Sequence, residues 1–293
     1  MSAFPAATMS LDLGGITLTY VPDGEFRAEP GLAYPNGHED MLSDGLDVLD
    51  DDGMLVLSVG AILVSTNDRH VLVDTGIGQR TIPLVRPGTT RDAYMRGGSL
   101  LDNLRALGVQ PSDIDAVLLT HLHADHVGWI GNENADDVAT FPNAEYWLNE
   151  AEWDFWNEPE NAAEAVAPRA HELALIGKRR RHLADGSEPV AGVTAIATTG
   201  HTPGHHAFSV QGTHTRAFIV GDAVHCPGEM LHPDVVWVGD HEPAEAVSTR
   251  HGIADRVGSD DIVLVGPHFP NAVFRRFTPD TAHPVSEVAA NKH

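Results

Sequence analysis

The sequence predicts a chain of the mixed α/β (α+β) class, in which two mixed β-sheets pack together and helices flank them. Apolar, β-branched runs typical of buried strands dominate the middle of each half of the 293 residues. Amphipathic or Ala-rich segments follow these runs. This order favours helices outside two packed sheets over one doubly wound sheet.

In the first half, the runs MLVLSVGAILVST (54–66) and RHVLVDTG (69–76) predict two buried strands joined by a short turn. Residues 77–96 contain two prolines and two glycines, which indicates a loop. The segment GSLLDNLRALG (98–108) has leucines at helical spacing. IDAVLLT (114–120) is then predicted to be a buried strand that leads into a cluster of histidines.

The second half repeats this alternation of strands and helices. EAEWDFW (150–156) begins an aromatic helix, and PAEAVSTRHGIADRVG (243–258) is an amphipathic helix. The predicted strands are AEYWLN (144–149), VAGVTAIATT (190–199), HAFSVQG (206–212), TRAFIVGD (215–222) and DIVLVGPH (261–268).

Composition limits the partners that the protein can have. Lys and Arg total 18 against 42 Asp and Glu, a formal charge of −24, which disfavours nucleic acid and anionic membranes. Cys226 is the single cysteine, so no intrachain disulfide can form. The sequence contains neither a long apolar span nor a basic and apolar leader at Met1, so we expect a cytoplasmic location.

The densest group among the 18 histidines is HLHADH (121–126), directly after a predicted strand. Alternate residues of an extended chain point the same way, so His121 and His123 can bind one metal ion. After the chain turns, Asp125 and His126 can face a second ion. Imidazole and carboxylate ligands suit zinc and other divalent first-row metals.

Three more apolar strands end in side chains of the same kind. TTGHTPGHH offers His201, IVGDAVH offers Asp222 and LVGPHFP offers His268. If these strand ends meet HLHADH at one rim, they bring together five histidines and two aspartates. That number suits two metal ions bridged by one carboxylate.

These motifs together resemble the metallo-β-lactamase superfamily, closest to its lactonase and methyl-parathion-hydrolase-like branch. In chain order they are Asp74 in VDTG, HLHADH, GHTPGH, GD and PH, over residues 54–270. The resemblance implies an αββα sandwich with a dinuclear site at one edge. By position it implies His121, His123 and His201 as ligands of one ion, Asp125, His126 and His268 as ligands of the other, Asp222 as the bridge, and Asp74 as a residue that orients the ligands by hydrogen bonding.

On this basis we expect residues 1–53 to form an N-terminal strand and an acidic arm, with 37–53 as a solvated loop. Residues 54–293 are expected to form one catalytic domain with a helical insertion at about 150–185. The resemblance implies a small-molecule substrate and no nucleic-acid or membrane partner, and it leaves a homodimer open.

The activity implied is hydrolysis (EC 3.1) by a metal-bridging hydroxide of a small, largely apolar ester or lactone, with phosphotriesters as a further substrate class. The implied cofactors are two divalent ions, zinc first, with manganese, cobalt or iron as options. The alternatives are a mononuclear-iron persulfide-type dioxygenase and a glyoxalase II-like thioesterase on the same scaffold. Metal content separates the iron enzyme from the dinuclear hydrolase.

Two residues are predicted to act in catalysis. Asp125 has a second carboxylate oxygen that can carry a proton to the leaving group. His225 lies three residues after Asp222, where lactonases of the quorum-quenching type often have tyrosine. It can donate a hydrogen bond to the substrate or accept a proton, and a purely structural role is the alternative.

Aromatic residues near the metal motifs are predicted to line the substrate pocket, with burial in the core as the competing interpretation. They are Trp129, Trp153, Phe155 and Phe269.

Overall fold

Runs of aliphatic and β-branched residues form the strands, as their pattern predicts. The computed structural model describes residues 2–37, 39–43, 47–84, 91–132, 135–259, 262–278 and 281–285. The strands are β1 (Met9–Asp12), β2 (Thr17–Ala28), β3 (Leu55–Ser65), β4 (His70–Val73), β5 (Thr81–Pro83), β6 (Tyr94–Arg96), β7 (Ile114–Leu118), β8 (Gly131–Asn132), β9 (Ala135–Ala139), β10 (Glu145–Leu148), β11 (Arg180–His182), β12 (Val193–Ala197), β13 (His206–Gln211), β14 (Arg216–Ile219), β15 (Ile262–Val265), β16 (Phe274–Thr278) and β17 (Thr281–Pro284).

The helices connect these strands and cover the sheets. They are α1 (Pro30–Ala33), α2 (Glu39–Ser43), α3 (Leu100–Ala106), α4 (Ala124–Val127), α5 (Glu150–Asn157), α6 (Ala170–Arg179), α7 (Pro227–Leu231) and α8 (Pro243–Ser259). Short 3₁₀ turns lie at Pro111–Asp113, Asn161–Ala163 and Gly221–Ala223. No helix formed by the described residues is long and apolar enough to cross a membrane.

Two mixed sheets form the centre of the protein. The first has the strand order β11-β10-β7-β4-β3-β2-β6-β5, with β1 paired to β2. The second has the order β12-β13-β14-β15-β16-β17, and β8 pairs with β9 separately. The predicted two-sheet fold class is confirmed.

The burial of β3 shows how the layers are arranged. Its residues are buried along nearly the whole strand because both faces of the first sheet are covered. Ile62 and Val64 pack into the cluster between the two sheets, whereas Ala61 and Leu63 pack toward α3, α5 and α6. Residues of α7 and α8 cover the outer face of the second sheet, which completes an αββα sandwich.

Strand direction determines where the predicted metal-binding motifs lie. β4 and β7 are parallel neighbours in the first sheet, and β14 and β15 are parallel neighbours in the second. β12 also runs in the direction of β14, because both are antiparallel to β13. The carboxyl ends of these strands therefore meet at one rim, immediately before the predicted metal-binding motifs.

Two segments differ from the loops that the sequence predicts. Within residues 77–96, β5 and β6 extend the first sheet beyond β2, and residues 85–90 between them lie outside the described part. Within residues 37–53, α2 buries Met41 close to the Cys226 sulfur. Short strands and a single buried side chain are hard to detect in turn-rich sequence, because neither produces a periodic pattern.

The segment before residue 54 also contributes to the first sheet. β2 pairs with β3 from Thr17–Ser65 to Ala28–Leu55, with a register shift between Pro22 and Gly24. At the other edge, α5 and α6 lie in the region of the predicted insertion, and β11 returns the chain to the sheet beside β10.

Candidate metal centre

The loop after β7 carries the HLHADH motif into the protein interior. Its first residues are extended, and His123 precedes the first turn of α4, which contains Asp125 and His126. The loops after β12, β14 and β15 bring further side chains to the same rim. All of the predicted ligands are buried: His121, His123, Asp125, His126, His201, Asp222 and His268.

Four of these residues form a first cluster, namely His121, His123, His201 and Asp222. The Nδ1 atom of His123 lies 2.9 Å from His121 Nε2 and 3.0 Å from His201 Nε2. The Asp222 Oδ2 atom lies 3.3 Å from His201 Nε2 and 3.8 Å from His121 Nε2. Three imidazole nitrogens and one carboxylate oxygen thus surround one point.

Asp125, His126 and His268 form a second cluster beside the first. The Nε2 atoms of His126 and His268 are 3.3 Å apart, and each lies 3.7 Å from Asp125 Oδ2. The second oxygen of Asp222, Oδ1, lies 3.1 Å from His126 Nε2 and 2.9 Å from His268 Nε2. Asp222 therefore presents one oxygen to each cluster.

The donor atoms in both clusters fit a divalent metal ion. Bonds of about 2.0–2.1 Å place the donors of a tetrahedral zinc site about 3.3–3.4 Å apart. The separations of 2.9–3.8 Å in the first cluster and 3.3–3.7 Å in the second bracket this value. Asp222 Oδ1 is buried without a hydrogen-bond donor among the described residues, as expected for an atom that faces a cation.

The outer nitrogens of three imidazoles are held by acceptors. Asp74 Oδ2 lies 2.8 Å from His126 Nδ1, Asp240 Oδ1 lies 3.1 Å from His201 Nδ1, and the Ser58 carbonyl lies 2.6 Å from His268 Nδ1. With a proton on each Nδ1 atom, the Nε2 lone pairs point into the clusters. Asp74, which the sequence predicts to orient the ligands, thus lies beside His126. The contacts of Asp240 and Ser58 with the ligands were not predicted.

Asp74 needs an unusual backbone conformation to reach these partners. Its φ angle is +60°, in the left-handed region that aspartate tolerates better than most residues. The carboxylate also accepts hydrogen bonds from the Thr120 amide at 2.9 Å and from the Thr120 hydroxyl at 2.8 Å. Thr120 Oγ1 in turn lies 3.0 Å from His121 Nδ1, so Asp74 acts on residues of both clusters.

Another histidine, which the sequence left unassigned, holds the backbone of Asp222. The Nε2 atom of His205 accepts a hydrogen bond of 3.0 Å from the Asp222 amide. Its Nδ1 atom lies 2.8 Å from Thr198 Oγ1. His205 is fully buried, and its role here is to position the backbone of Asp222.

Burial and neighbouring charges separate the histidine pKa values. Burial and nearby imidazoles hold the pKa of His121 and of His123 well below the ordinary value. Burial also lowers the pKa of His126, but the carboxylates of Asp222 and Asp74 outweigh it and raise this pKa well above the ordinary value. His121 and His123 are therefore neutral at physiological pH, the form that binds metal.

His225 lies at the wall of the site. Its Nδ1 atom is 3.2 Å from Glu229 Oε1, an oxygen that also accepts a 2.9 Å hydrogen bond from the Tyr34 hydroxyl. Its ring stacks on Trp237 with centroids 4.1 Å apart. Its Nε2 atom lies 3.5 Å from Asp222 Oδ2 and has no hydrogen-bond partner among the described residues. Burial lowers the pKa of His225, but Glu229 and Asp222 raise it to about 10.

A cavity of about 530 Å³ opens above the two clusters. His123, Asp125, His201, Asp222 and His268 lie among its lining residues, together with His225. The larger apolar side chains of the wall are Phe26, Leu32, Leu57, Leu84, Met95, Phe155, Trp156, Val166, Trp237 and Val238, and the polar residues Glu164, Thr202, Asp240 and His241 also line the cavity. The described lining residues include no lysine or arginine.

The structure places one of the four predicted pocket residues at this cavity. Phe155 lines the cavity, but Trp129, Trp153 and Phe269 do not. Trp129 is anchored in the core by a 2.8 Å hydrogen bond from its indole N–H to Asp23. Trp153 lies beneath the Arg180 guanidinium, 4.6 Å from the ring centroid to Cζ.

Phe269 is fully buried in the cluster outside the second sheet, although it directly follows His268. Pro267 and His268 form a turn that is closed by a 2.9 Å hydrogen bond from the Phe269 amide to the Gly266 carbonyl, so the side chain of Phe269 enters the core while His268 faces the cavity.

A family model of the metallo-beta-lactamase superfamily matches residues 55–264. The chain belongs to that superfamily, and the predicted family is confirmed.

Individual relatives carry more specific descriptions. The chain is 29% identical over 193 residues to a probable metallo-hydrolase of Mycobacterium tuberculosis, a match that covers 60% of each chain. It is 28% identical over 167 residues to the N-acyl homoserine lactonase AttM of Agrobacterium fabrum, covering 53% of this chain and 60% of that one. The chain thus matches about 60% of the length of these curated relatives.

Solved structures extend the fold comparison to nearly the whole chain. The dizinc quorum-quenching lactonase AidC, solved in complex with a product homoserine, superimposes with a TM-score of 0.79 at 22% identity. The match covers 96% of this chain and 98% of that one. At this identity the likeness shows a shared fold.

Proposed function

We propose that the protein is a dinuclear metal-dependent hydrolase that cleaves small, neutral, largely apolar esters or lactones. The observation that carries the proposal is the position of Asp222 at the floor of the cavity. Its two oxygens face separate clusters of imidazole nitrogens at 2.9–3.8 Å. A carboxylate so placed suits two ions held side by side.

In this proposal His121, His123 and His201 hold one ion, Asp125, His126 and His268 hold the other, and Asp222 contacts both. Zinc is the preferred metal, because the ligands are imidazoles and carboxylates and AidC is described as a dizinc enzyme. When bound, such ions supply a Lewis acid for the substrate carbonyl and a hydroxide nucleophile near neutral pH.

The side chains of the cavity perform the remaining steps. Apolar walls bind the acyl part of the substrate and exclude water from the reacting carbonyl. Asp125 lines the cavity and is the group that carries a proton to the leaving alkoxide. His225 Nε2 is free to hydrogen-bond to a substrate oxygen, since Glu229 occupies its other nitrogen.

Charge supports a neutral substrate. The described cavity residues include no Lys or Arg to pair with a carboxylate or phosphate, and the chain carries a formal charge of −24. The N-acyl homoserine lactonases among the relatives support lactones as one candidate class.

Hydrolysis of matched substrates tests the proposal. We expect turnover of acyl lactones or aryl esters that requires about two zinc ions per chain, and much slower turnover of the same esters bearing a carboxylate on the acyl chain. One iron ion per chain with oxygen consumption would contradict the proposal and favour the dioxygenase alternative.

A further inference from the structure

Glu152 is a fully buried carboxylate in the first turn of α5, outside the cavity and outside both clusters. N–H donors from three separate places in the chain bind it, and the Thr202 side chain of the His201 loop is a further partner. Oε1 accepts hydrogen bonds from the Leu122 amide at 2.9 Å and from the Trp156 indole at 2.7 Å. Oε2 accepts a hydrogen bond of 3.1 Å from the Gly204 amide.

Two of these donors belong to the loops that carry the first cluster. Leu122 lies between His121 and His123, so its amide fixes the extended segment that presents both imidazoles. Gly204 closes the tight loop that begins at His201. A single carboxylate therefore links the two loops that must approach each other for three imidazoles to meet.

The third donor acts on the same cluster. The Trp156 ring packs against the His123 ring at a centroid distance of 5.4 Å and an angle of 72°. Its indole N–H is directed to Glu152 rather than to the cavity. Glu152 thus also sets the position of the aromatic ring that supports His123.

Close packing keeps α5 in contact with the His201 loop. A Cβ atom on Gly204 would lie 2.3 Å from the Glu152 amide nitrogen and 2.5 Å from its Cβ atom. Asn149 caps the helix by accepting a hydrogen bond from the Ala151 amide at 2.8 Å. The carboxylate consequently has little freedom to move away from either loop.

The second cluster is oriented by different groups. Asp74 holds His126, and the Ser58 carbonyl holds His268, without a contact to Glu152 among their described hydrogen bonds. Glu152 thus holds the distance of His201 from His121 and His123. Among the described residues, it makes no such contact with those that hold His126 and His268.

We propose that Glu152 is a positioning residue for the first metal site, setting the distance between the loop of His121 and His123 and the loop of His201. This inference rests on the proposed function, in that the first cluster must hold an ion. It predicts that a change at Glu152 weakens the binding of one ion and spares the other.

The experiment is a zinc titration of the Glu152→Gln variant. In either orientation of the glutamine amide, its NH₂ group faces an N–H donor, so one of the two loops loses its acceptor. Competition with a chelator measures both zinc affinities. We expect one affinity to fall about 10- to 100-fold, the usual cost of removing a group that orients metal ligands, while the other stays at the wild-type value.

Asp23→Asn is the matched control. Asp23 is likewise a buried carboxylate that accepts backbone N–H groups, those of Ile77 at 2.8 Å and Leu100 at 2.9 Å, and a tryptophan indole N–H. Its backbone donors lie outside the loops that carry metal ligands, and its indole donor, Trp129, lies three residues after His126 of the second cluster. We expect this variant to lower the melting temperature of the metal-free protein and to keep the zinc affinity that falls in Glu152→Gln.

The results separate the possible failures. Wild-type protein that binds no zinc would overturn the proposed function and this inference with it. Two zinc ions in the wild type with unchanged affinities in Glu152→Gln, or with both affinities reduced equally, would overturn the role of Glu152 alone. Glu152→Asp, which keeps the charge but shortens its reach, is the second variant should Glu152→Gln not fold, and the same selective loss is expected.

Discussion

The imidazole of His225 is held so that one nitrogen is engaged and the other has no hydrogen-bond partner among the described residues. Glu229 binds Nδ1, Trp237 stacks on the ring, and Nε2 faces Asp222 beside the cavity. This arrangement resembles that of a side chain prepared to hydrogen-bond with a ligand, and it fixes the ring orientation before the substrate binds.

Replacement of His225 by alanine is therefore expected to reduce kcat/KM by about 10- to 1,000-fold, the range for one lost hydrogen-bond donor or acid–base group. Steady-state kinetics on the best substrate measure the loss, and metal analysis is expected to find the wild-type content. Cys226→Ala is the control, because Cys226 is a buried neighbour that does not line the cavity. Loss of metal would make His225 a ligand, and unchanged kinetics would make its role structural.

Cys226 itself provides a test of the packing around α7. The thiol is fully buried between Tyr34 and Met41. Burial, with a smaller contribution from Glu229, raises its pKa from 9.0 to about 12. At about pH 8 the thiolate fraction is then on the order of one in ten thousand, and the thiolate is the reactive form.

We expect the native protein to react with Ellman's reagent only after it is unfolded, since both burial and the raised pKa suppress the reaction. Absorbance of the released thiolate at about pH 8, with and without denaturant, measures this. Rapid stoichiometric labelling of the native protein would show that the region around α7 packs differently.

Among single residues, the sequence predicts a functional role for those that adjoin a recognisable pattern, such as an apolar strand. The seven ligand candidates follow apolar strands, and two of them alternate as an extended chain requires. Asp240 and Glu152 were missed because they contact His201 and Leu122 from 39 and 30 residues away. Glu229 was missed although it lies only four residues from His225, because His225 precedes the start of α7 at Pro227 and the helical i, i+4 rule does not apply to the pair.

At the scale of elements, α5 shows why the prediction of a helix does not determine which of its aromatic side chains reach the cavity. Glu152 and Trp156, four residues apart, are buried toward the metal loops. Phe155 borders the cavity, and Trp153 lies on another side of the helix under Arg180. An aromatic sequence predicts the helix, but which side faces the cavity depends on the approach of the loops after β7 and β12.

This geometry makes Phe155 and Trp153 a matched pair. Both rings are half-buried on the same helix, and only one lines the cavity. Phe155→Ala is expected to raise KM about three- to tenfold with a smaller change in kcat, because it removes apolar contact with the bound substrate. Trp153→Ala is expected to leave KM unchanged, so a larger rise in KM for Trp153→Ala would reverse the assignment of the two faces.

At the scale of the whole molecule, strand direction explains why widely separated motifs form one site. The strands of the parallel pairs β4–β7 and β14–β15 end at the same rim. The segments that follow them carry Asp74, the HLHADH motif, Asp222 and His268. The two sheets pack through a shared core that includes Val73, Leu118, Ile219 and Val265, each near the end of its strand. The metal site is thus built on the most buried part of the fold.

The net charge of the whole molecule also affects which substrates can approach the cavity. An excess of 24 acidic over basic residues surrounds a cavity whose described walls have no lysine or arginine. Long-range repulsion disfavours anionic substrates, and none of the described wall residues is a lysine or arginine that would pair with one. The net charge is read from composition, whereas the lining and shape of the cavity required the fold.

The proposed dinuclear site depends most directly on Asp222 as a residue shared by two metal ions. The number of zinc ions per chain, measured by mass spectrometry after equilibrium dialysis of the wild type and of Asp222→Ala, tests this point. We expect about two ions in the wild type and at most one in the variant, with loss of hydrolysis. An Asp222→Ala protein that keeps two ions and normal turnover would contradict the proposed site.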